Sequence, residues 1–182
     1  TTNGGQTWSF LIPSSAADFN DLFFLNDNLG YFVGETGSIM KTTNGGTSFT
    51  NINSGGTDDL YGVFFISPDT GWVCGQDAAV YKTFNGGSSW TQQTLPSFTN
   101  GCYDIFFTDA NTGYIGSWAN RIYKTTDGGT TWSTIPNLPS VNSIIKLQFI
   151  NPDTGWATSD YGKLLKTTDA GQTWVLQHDF CF

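Results

Sequence analysis

Thr83-Phe-Asn-Gly-Gly-Ser-Ser-Trp90 decides how this chain folds. Asn bonds its own backbone in a turn and Gly accepts left-handed dihedrals, so Asn85-Gly86-Gly87 reads as a tight reversal between two strands. The pattern recurs in Thr1-Thr-Asn-Gly-Gly-Gln-Thr-Trp8, Thr42-Thr-Asn-Gly-Gly-Thr-Ser-Phe49, Thr125-Thr-Asp-Gly-Gly-Thr-Thr-Trp132 and Thr167-Thr-Asp-Ala-Gly-Gln-Thr-Trp174. Its closing aromatics stand 41, 41, 42 and 42 residues apart. A fixed period of this kind marks a repeat architecture.

Working outward, a second mark keeps step with the first. Gly30-Tyr31, Gly71-Trp72, Gly113-Tyr114 and Gly155-Trp156 each begin 11 residues before a lysine: Lys41, Lys82, Lys124 and Lys166. A phenylalanine (Phe24, Phe65, Phe107, Phe149) stands six residues before each of those glycines. Each unit therefore holds four short strand candidates. In the second unit they are Tyr61–Ile66, Gly71–Gly75, Ala79–Thr83 and Ser89–Gln93, joined by Ser67-Pro-Asp-Thr70, Gln76-Asp-Ala78 and Phe84-Asn-Gly-Gly87. Four antiparallel strands in a unit of roughly 40–45 residues is the size of a propeller blade. A lone blade leaves both faces bare, and stacked blades bury them, which accounts for the recurring aromatics. The expected class is all-β: a β-propeller of four-stranded antiparallel blades, one array over 1–182. It would have a partial blade at 1–12 and complete blades at about 19–53, 60–95, 103–136 and 144–178.

Composition closes other doors. One of the 15 acidic residues is Glu35 and the rest are Asp; of the seven basic residues one is Arg121 and six are Lys. Long helices want Glu, Ala, Leu, Lys and Arg, and that stock is thin. A net charge of −8 argues against binding nucleic acid and against docking on anionic membranes. No apolar run approaches the ~20 residues of a spanning helix, and no signal-peptide pattern is present, so no membrane insertion is expected. Cys74, Cys102 and Cys181 fit no zinc spacing, His178 is the single histidine, and no nucleophile–base pair is suggested locally. No metal or cofactor is expected. Cys74 reads as a buried small hydrophobe; a Cys74–Cys102 bridge in an oxidising compartment is the alternative, with Cys181 then unpaired or paired outside the chain.

The Thr-x-Asn/Asp-x-Gly-x-Thr/Ser-Trp/Phe signature resembles the Asp-box, or BNR repeat. With the preceding Lys and the Gly-Trp/Tyr mark, the unit looks like the repeat of the photosystem II assembly and stability factor family. The resemblance covers essentially the whole chain. It implies a β-propeller acting in a lumenal or extracytoplasmic setting; related repeats occur in secreted bacterial proteins.

The box chemistry reads as structural. Asn3, Asn44, Asn85, Asp127 and Asp169 are expected to cap their own turns through backbone N–H groups. Ala170 stands where the other boxes have Gly, so that position is expected not to demand positive φ. Trp8, Phe49, Trp90, Trp132 and Trp174 are expected to pack beside the next strand. Calcium held by the box carboxylates would need several to converge, and they recur one per blade. Each repeat lysine is expected to lay its stem on an aromatic and bring its head to an Asp at the turn; a lysine ring gripping an anion is the alternative.

Residues 1–12 are the last half of a unit, which leaves three readings of blade number. The chain is a piece of a propeller of roughly six to eight blades, or a small propeller finished by its N-terminal strand, or an array whose open edges a second copy covers. A start in mid-repeat favours the first or the third.

Departures from the repeat are the better functional candidates. Loops joining second to third strands read Glu35-Thr-Gly37, Gln76-Asp-Ala78, Trp118-Ala-Asn120 and Asp160-Tyr-Gly162. Glu35, Asp77, Trp118, Arg121, Asp160 and Tyr161 are the candidate partner-binding residues, because exposed Trp, Tyr and Arg are enriched at binding hot spots. The links between blades, Pro13–Asp21, Asn51–Asp59, Thr94–Tyr103 and Pro136–Ser143, share that face and add Phe19, Phe98, Asp58 and Asp59. Sialidases, which also carry Asp-boxes, resemble one another in gripping their substrate with three arginines, and here Arg121 stands alone. No carboxylate pair separates itself from the turns as a glycosidase would need. The expectation is a non-enzymatic protein-binding, scaffold or assembly-factor-like propeller outside the cytoplasm, secreted to an extracellular or periplasmic/lumenal space. The alternatives are a self-assembling subunit of an extracellular multimer or filament, joined through open blade edges, and then a carbohydrate-binding or glycosidase-type propeller with a glycan partner.

Overall fold

The computed structural model describes residues 1, 3–8, 18–96 and 101–179. Among them, four antiparallel sheets of four strands follow one another along the chain. Blade 1 is β1 (Phe19–Phe24), β2 (Gly30–Gly34), β3 (Ser38–Thr42) and β4 (Thr50–Asn53). Blade 2 is β5 (Leu60–Phe65), β6 (Gly71–Gly75), β7 (Val80–Thr83) and β8 (Thr91–Gln92). Blade 3 is β9 (Cys102–Phe107), β10 (Gly113–Ser117), β11 (Arg121–Thr125) and β12 (Ser133–Thr134). Blade 4 is β13 (Ile144–Phe149), β14 (Gly155–Ser159), β15 (Lys163–Thr167) and β16 (Val175–Asp179). The first strands β1, β5, β9 and β13 pack in succession and together line a central cavity of about 160 Å³. Blades set around a common axis make a β-propeller. Phe19, expected in a link, opens β1 and faces Gly34. Residues 9–12, Phe98 and Cys181 lie outside the described residues.

The Phe–Gly spacing has a direct cause. Phe24, Phe65, Phe107 and Phe149 are the cross-strand partners of Gly30, Gly71, Gly113 and Gly155. A Cβ at Gly113 would fall 2.5 Å from the Phe107 ring, so only glycine leaves the ring its seat. The other face of that ring receives the preceding blade. Tyr31 stacks on Phe65 at 3.7 Å, Trp72 on Phe107 at 3.6 Å and Tyr114 on Phe149 at 4.3 Å. Such pairs add about 0.5–1.5 kcal/mol each beyond area burial. Burial first, then the charge of Asp69, pushes the Tyr31 phenol up to about 12. The closing aromatics Trp90, Trp132 and Trp174 meet Phe65, Phe107 and Phe149 of their own blades edge-on, not a following strand. Phe49 meets Phe32 in the same manner, and Trp8 is 77% exposed.

The boxes are built alike. Thr42 Oγ1 donates to Asn44 Oδ1 at 3.0 Å and accepts from Gly46 N at 2.8 Å, while Ser48 N donates to Asn44 Oδ1 at 2.9 Å. The same three bonds recur around Asn3, Asn85, Asp127 and Asp169. Ala170 corrects one expectation: its φ is 56°, beside 67°, 64° and 69° at Gly45, Gly86 and Gly128. The position does demand the left-handed region, and alanine occupies it under strain.

The lysines correct another. The ammonium groups of Lys41, Lys82, Lys124 and Lys166 lie over the rings of Tyr31, Trp72, Tyr114 and Trp156, and the first three donate to main-chain carbonyls of the following blade's box, not to carboxylates. Lys41 Nζ reaches Gly86 O at 2.9 Å, Lys82 Nζ reaches Gly128 O at 2.6 Å and Lys124 Nζ reaches Ala170 O at 2.6 Å. A turn whose N–H groups are consumed by its own Asx side chain leaves its carbonyls outward, and an ammonium satisfies them. Cys74 and Cys102 are buried and in no disulfide, and the Cys74 thiol points at the Cys102 carbonyl at 3.7 Å. The bridge between them is not formed.

Candidate functional site

Antiparallel alternation puts the second-to-third loops and the blade-to-blade links on one face. They are tied together there: Thr36 N donates to Asp59 Oδ1 at 2.9 Å, Gly37 N to Asp58 O at 3.0 Å and Asn120 N to Asn142 O at 2.7 Å. The boxes lie on the opposite face, where Gly86 N meets Asp69 O at 2.9 Å.

Each loop reverses the chain in two left-handed residues, the hairpin turn that matches strand twist. The pairs are Thr36 and Gly37, Asp77 and Ala78, Ala119 and Asn120, and Tyr161 and Gly162. Six of the eight are not glycine, and each such residue costs on the order of 1 kcal/mol. Asp77 and Tyr161 stand at the tips, in dihedrals that the surrounding strand pairing imposes.

The face carries an aromatic row crossing from blade 2 to blade 3. Tyr61 and Tyr103 lie 6.0 Å apart, Tyr103 and Trp118 lie 5.9 Å apart, and Trp118 is 41% exposed. Carboxylates surround it. Burial raises the Tyr61 phenol, and the charges of Asp59, Asp77 and Glu35 raise it further. Tyr103 is raised by burial, then by Tyr61 and Asp160. Asp160 is held by Ser143 N at 3.1 Å and Asn142 Nδ2 at 2.7 Å. Glu35, Asp77, Trp118 and Asp160 thus converge on one row. Tyr161 is 71% exposed at its own loop tip, and Arg121 opens β11 opposite Ser117, half-buried. Tyr61 and Tyr103 were missed. They occupy the repeat position of Asn20 and Ile145, and that variation among the first strands was the available signal.

A second polar cluster sits on the axis. Lys146 of blade 4 bonds Asp104 of blade 3 at 2.9 Å and lies 3.6 Å from Asp21 of blade 1. Asp104 also accepts from Leu147 N at 2.6 Å, and Asp21 from Val63 N at 3.1 Å. Burial pushes Asp104 up to about 6 against the pull of Lys146. Burial also pulls the Lys146 ammonium down, but the two carboxylates more than offset it. This cluster joins blades 1, 3 and 4 across the axis. The described residues hold no group of three or more His, Cys, Asp or Glu placed to bind a metal ion, and no helix long and apolar enough to cross a membrane.

The sequence model of the family described as photosynthesis system II assembly factor YCF48 matches residues 1–97 and 96–178. No curated protein matches the chain. Among solved structures, YCF48 bound to D1 peptide superposes with a TM-score of 0.62 at 17% identity, over 90% of this chain and 82% of that one. YCF48 from Cyanidioschyzon merolae gives 0.73 at 19%, over 91% of this chain and 58% of that one. The GH74 enzyme of Niastella koreensis gives 0.73 at 21%, over 90% of this chain and 31% of that one. At these identities the structural likeness shows the fold alone.

Proposed function

The chain belongs to the photosynthesis system II assembly factor YCF48 family, and on that premise we propose that it is a non-enzymatic propeller that binds a protein partner outside the cytoplasm. The observation that carries the reading is the row Tyr61–Tyr103–Trp118, bordered by Glu35, Asp77 and Asp160 on loops tied by hydrogen bonds to the blade-to-blade links. Rigid aromatics bind at low entropic cost, and a surrounding ring of carboxylates selects partners by charge. A family member caught with a bound peptide supports a peptide segment as the ligand class. Asp104, the most buried carboxylate of the axis, is engaged by Lys146 and Leu147 N, which leaves it a structural part.

Binding of the wild-type chain to a peptide array and a glycan array tests this, beside a Trp118→Ala/Tyr161→Ala double variant of matched thermal stability. Peptide capture by the wild type, lost in the variant, is expected. Equal capture by both would move the site off this face. Capture of glycans alone would turn the reading to carbohydrate.

A further inference from the structure

The aromatics of the loop face are not demanded by the fold. Tyr61 and Tyr103 take the place that Asn20 and Ile145 hold in blades 1 and 4. Trp118 takes the place of Glu35, Gln76 and Asp160 in the other second-to-third loops. Blades close equally well around those residues, so three rings in succession add something other than closure. The row lies on blades 2 and 3, each of which packs against a blade on both sides.

Its spacing and its charge both narrow the ligand. The rings follow one another at 6.0 and 5.9 Å, tilted by 38° and 35°. An extended chain rises about 3.3 Å per residue and sends alternate side chains to one side, so residues two apart present side chains about 6.6 Å apart. Ring spacing of this size suits such a segment. The charges of Asp59, Asp77 and Glu35 reach the Tyr61 hydroxyl, and that of Asp160 reaches Tyr103. The cations flanking these loops are Arg121, half-buried, and Lys163, whose ammonium donates to Ser140 O at 3.1 Å. Faces of Tyr and Trp attract cations, and carboxylates at their edges add to that attraction. An anionic ligand would be repelled here, and a neutral glycan would gain nothing from the carboxylates.

We propose that this row is an interaction surface for a basic peptide segment, whose Lys or Arg side chains lie over Tyr61, Tyr103 and Trp118 while Glu35, Asp59, Asp77 and Asp160 supply the complementary charge. This partner class rests on the protein-binding reading above and adds the sign of the partner's charge.

Fluorescence anisotropy with labelled peptides tests it: one alternating Lys with Ser, one with Glu in place of Lys, and one with Gln. The lysine peptide should bind and the glutamate peptide should not. Affinity should fall about tenfold between about 50 and 500 mM salt. Trp118→Ala should weaken binding about tenfold. Glu35→Gln/Asp77→Asn should weaken it about threefold and flatten the salt dependence. Both of those positions are exposed, and Asn accepts the left-handed dihedrals of Asp77, so this pair keeps the test sound should loss of the indole disturb its loop. Lysine-peptide binding that neither variant weakens would overturn the proposal. Preference for the Gln or Glu peptide, lost in Trp118→Ala, would also overturn it and leave the protein-binding reading standing. Failure to capture any peptide of any charge, on the array or in solution, would sink both.

Discussion

Lys82 donates a 2.6 Å hydrogen bond to the main-chain carbonyl of Gly128, in the turn of the following blade. Trp72 Nε1 shares that oxygen at 3.2 Å, and the ammonium lies 4.9 Å over the Trp72 ring. Burial lowers the Lys82 pKa, against the opposing charge of Asp127. Lys82→Met keeps the stem and removes the charge, so it should cost about 1–2 kcal/mol of stability. Urea unfolding at neutral pH measures the loss. An unchanged midpoint would reduce the clasp to an incidental contact.

Gly113→Ala should destabilise by about 1–3 kcal/mol, because the added methyl meets the Phe107 ring 2.5 Å away. Adding Phe107→Leu should recover part of that loss, since the two positions share one seat. Thermal melts of the two single variants and the double variant close the cycle. Additive losses would contradict the seat.

Ala170→Gly should raise stability by about 0.5–1 kcal/mol. It relieves a left-handed alanine, offset in part by the greater freedom of glycine in the unfolded chain. The substitution leaves the carbonyl that receives Lys124 in place. A lowered melting temperature would show that the strain account is wrong.

Acid stability should show two opposed slopes. Burial holds Asp104 at about 6 in the folded chain, above the unfolded value of about 3.9. Its contribution is therefore fully present below about pH 4 and lost as pH rises through 6. Asp127 and Asp169 sit at about 2, held there chiefly by Thr131 and Thr173. Their contribution is present above about pH 4 and lost as pH falls toward 2. Asp104→Asn should flatten the decline between pH 4 and 6 and leave the acid limb intact. Asp127→Asn/Asp169→Asn should do the reverse, since Asn44 and Asn85 already build the same turn without a charge. Urea midpoints from pH 2 to 7 separate the limbs.

Much of the fold was legible because its devices are local and repeated. The turn Asn85-Gly86-Gly87 needs particular side chains at particular positions, and so does the Phe65–Gly71 pair. Such requirements leave a mark in one dimension. The lysine acceptor was not legible: sequence shows that Lys82 recurs, not that a main-chain oxygen 46 residues later faces it. The loop face was half legible. Glu35, Asp77, Trp118 and Asp160 stand out as departures from the repeat, whereas Tyr61 reads only as a strand residue and Tyr103 only as the end of a link, and the structure sets them in the first strands β5 and β9. Lys146 shows the same limit, since its bonds to Asp104 and Asp21 exist only where three first strands meet at an axis.

The lysine clasp also gives the array a temporal direction. Each repeat lysine of the first three blades waits for an oxygen synthesised 45 or 46 residues after it. At a translation rate of about 5–20 residues per second, that is an interval of a few seconds. A blade emerging from the ribosome is thus finished by its successor, and a stalled ribosome would leave the newest lysine and aromatic bare.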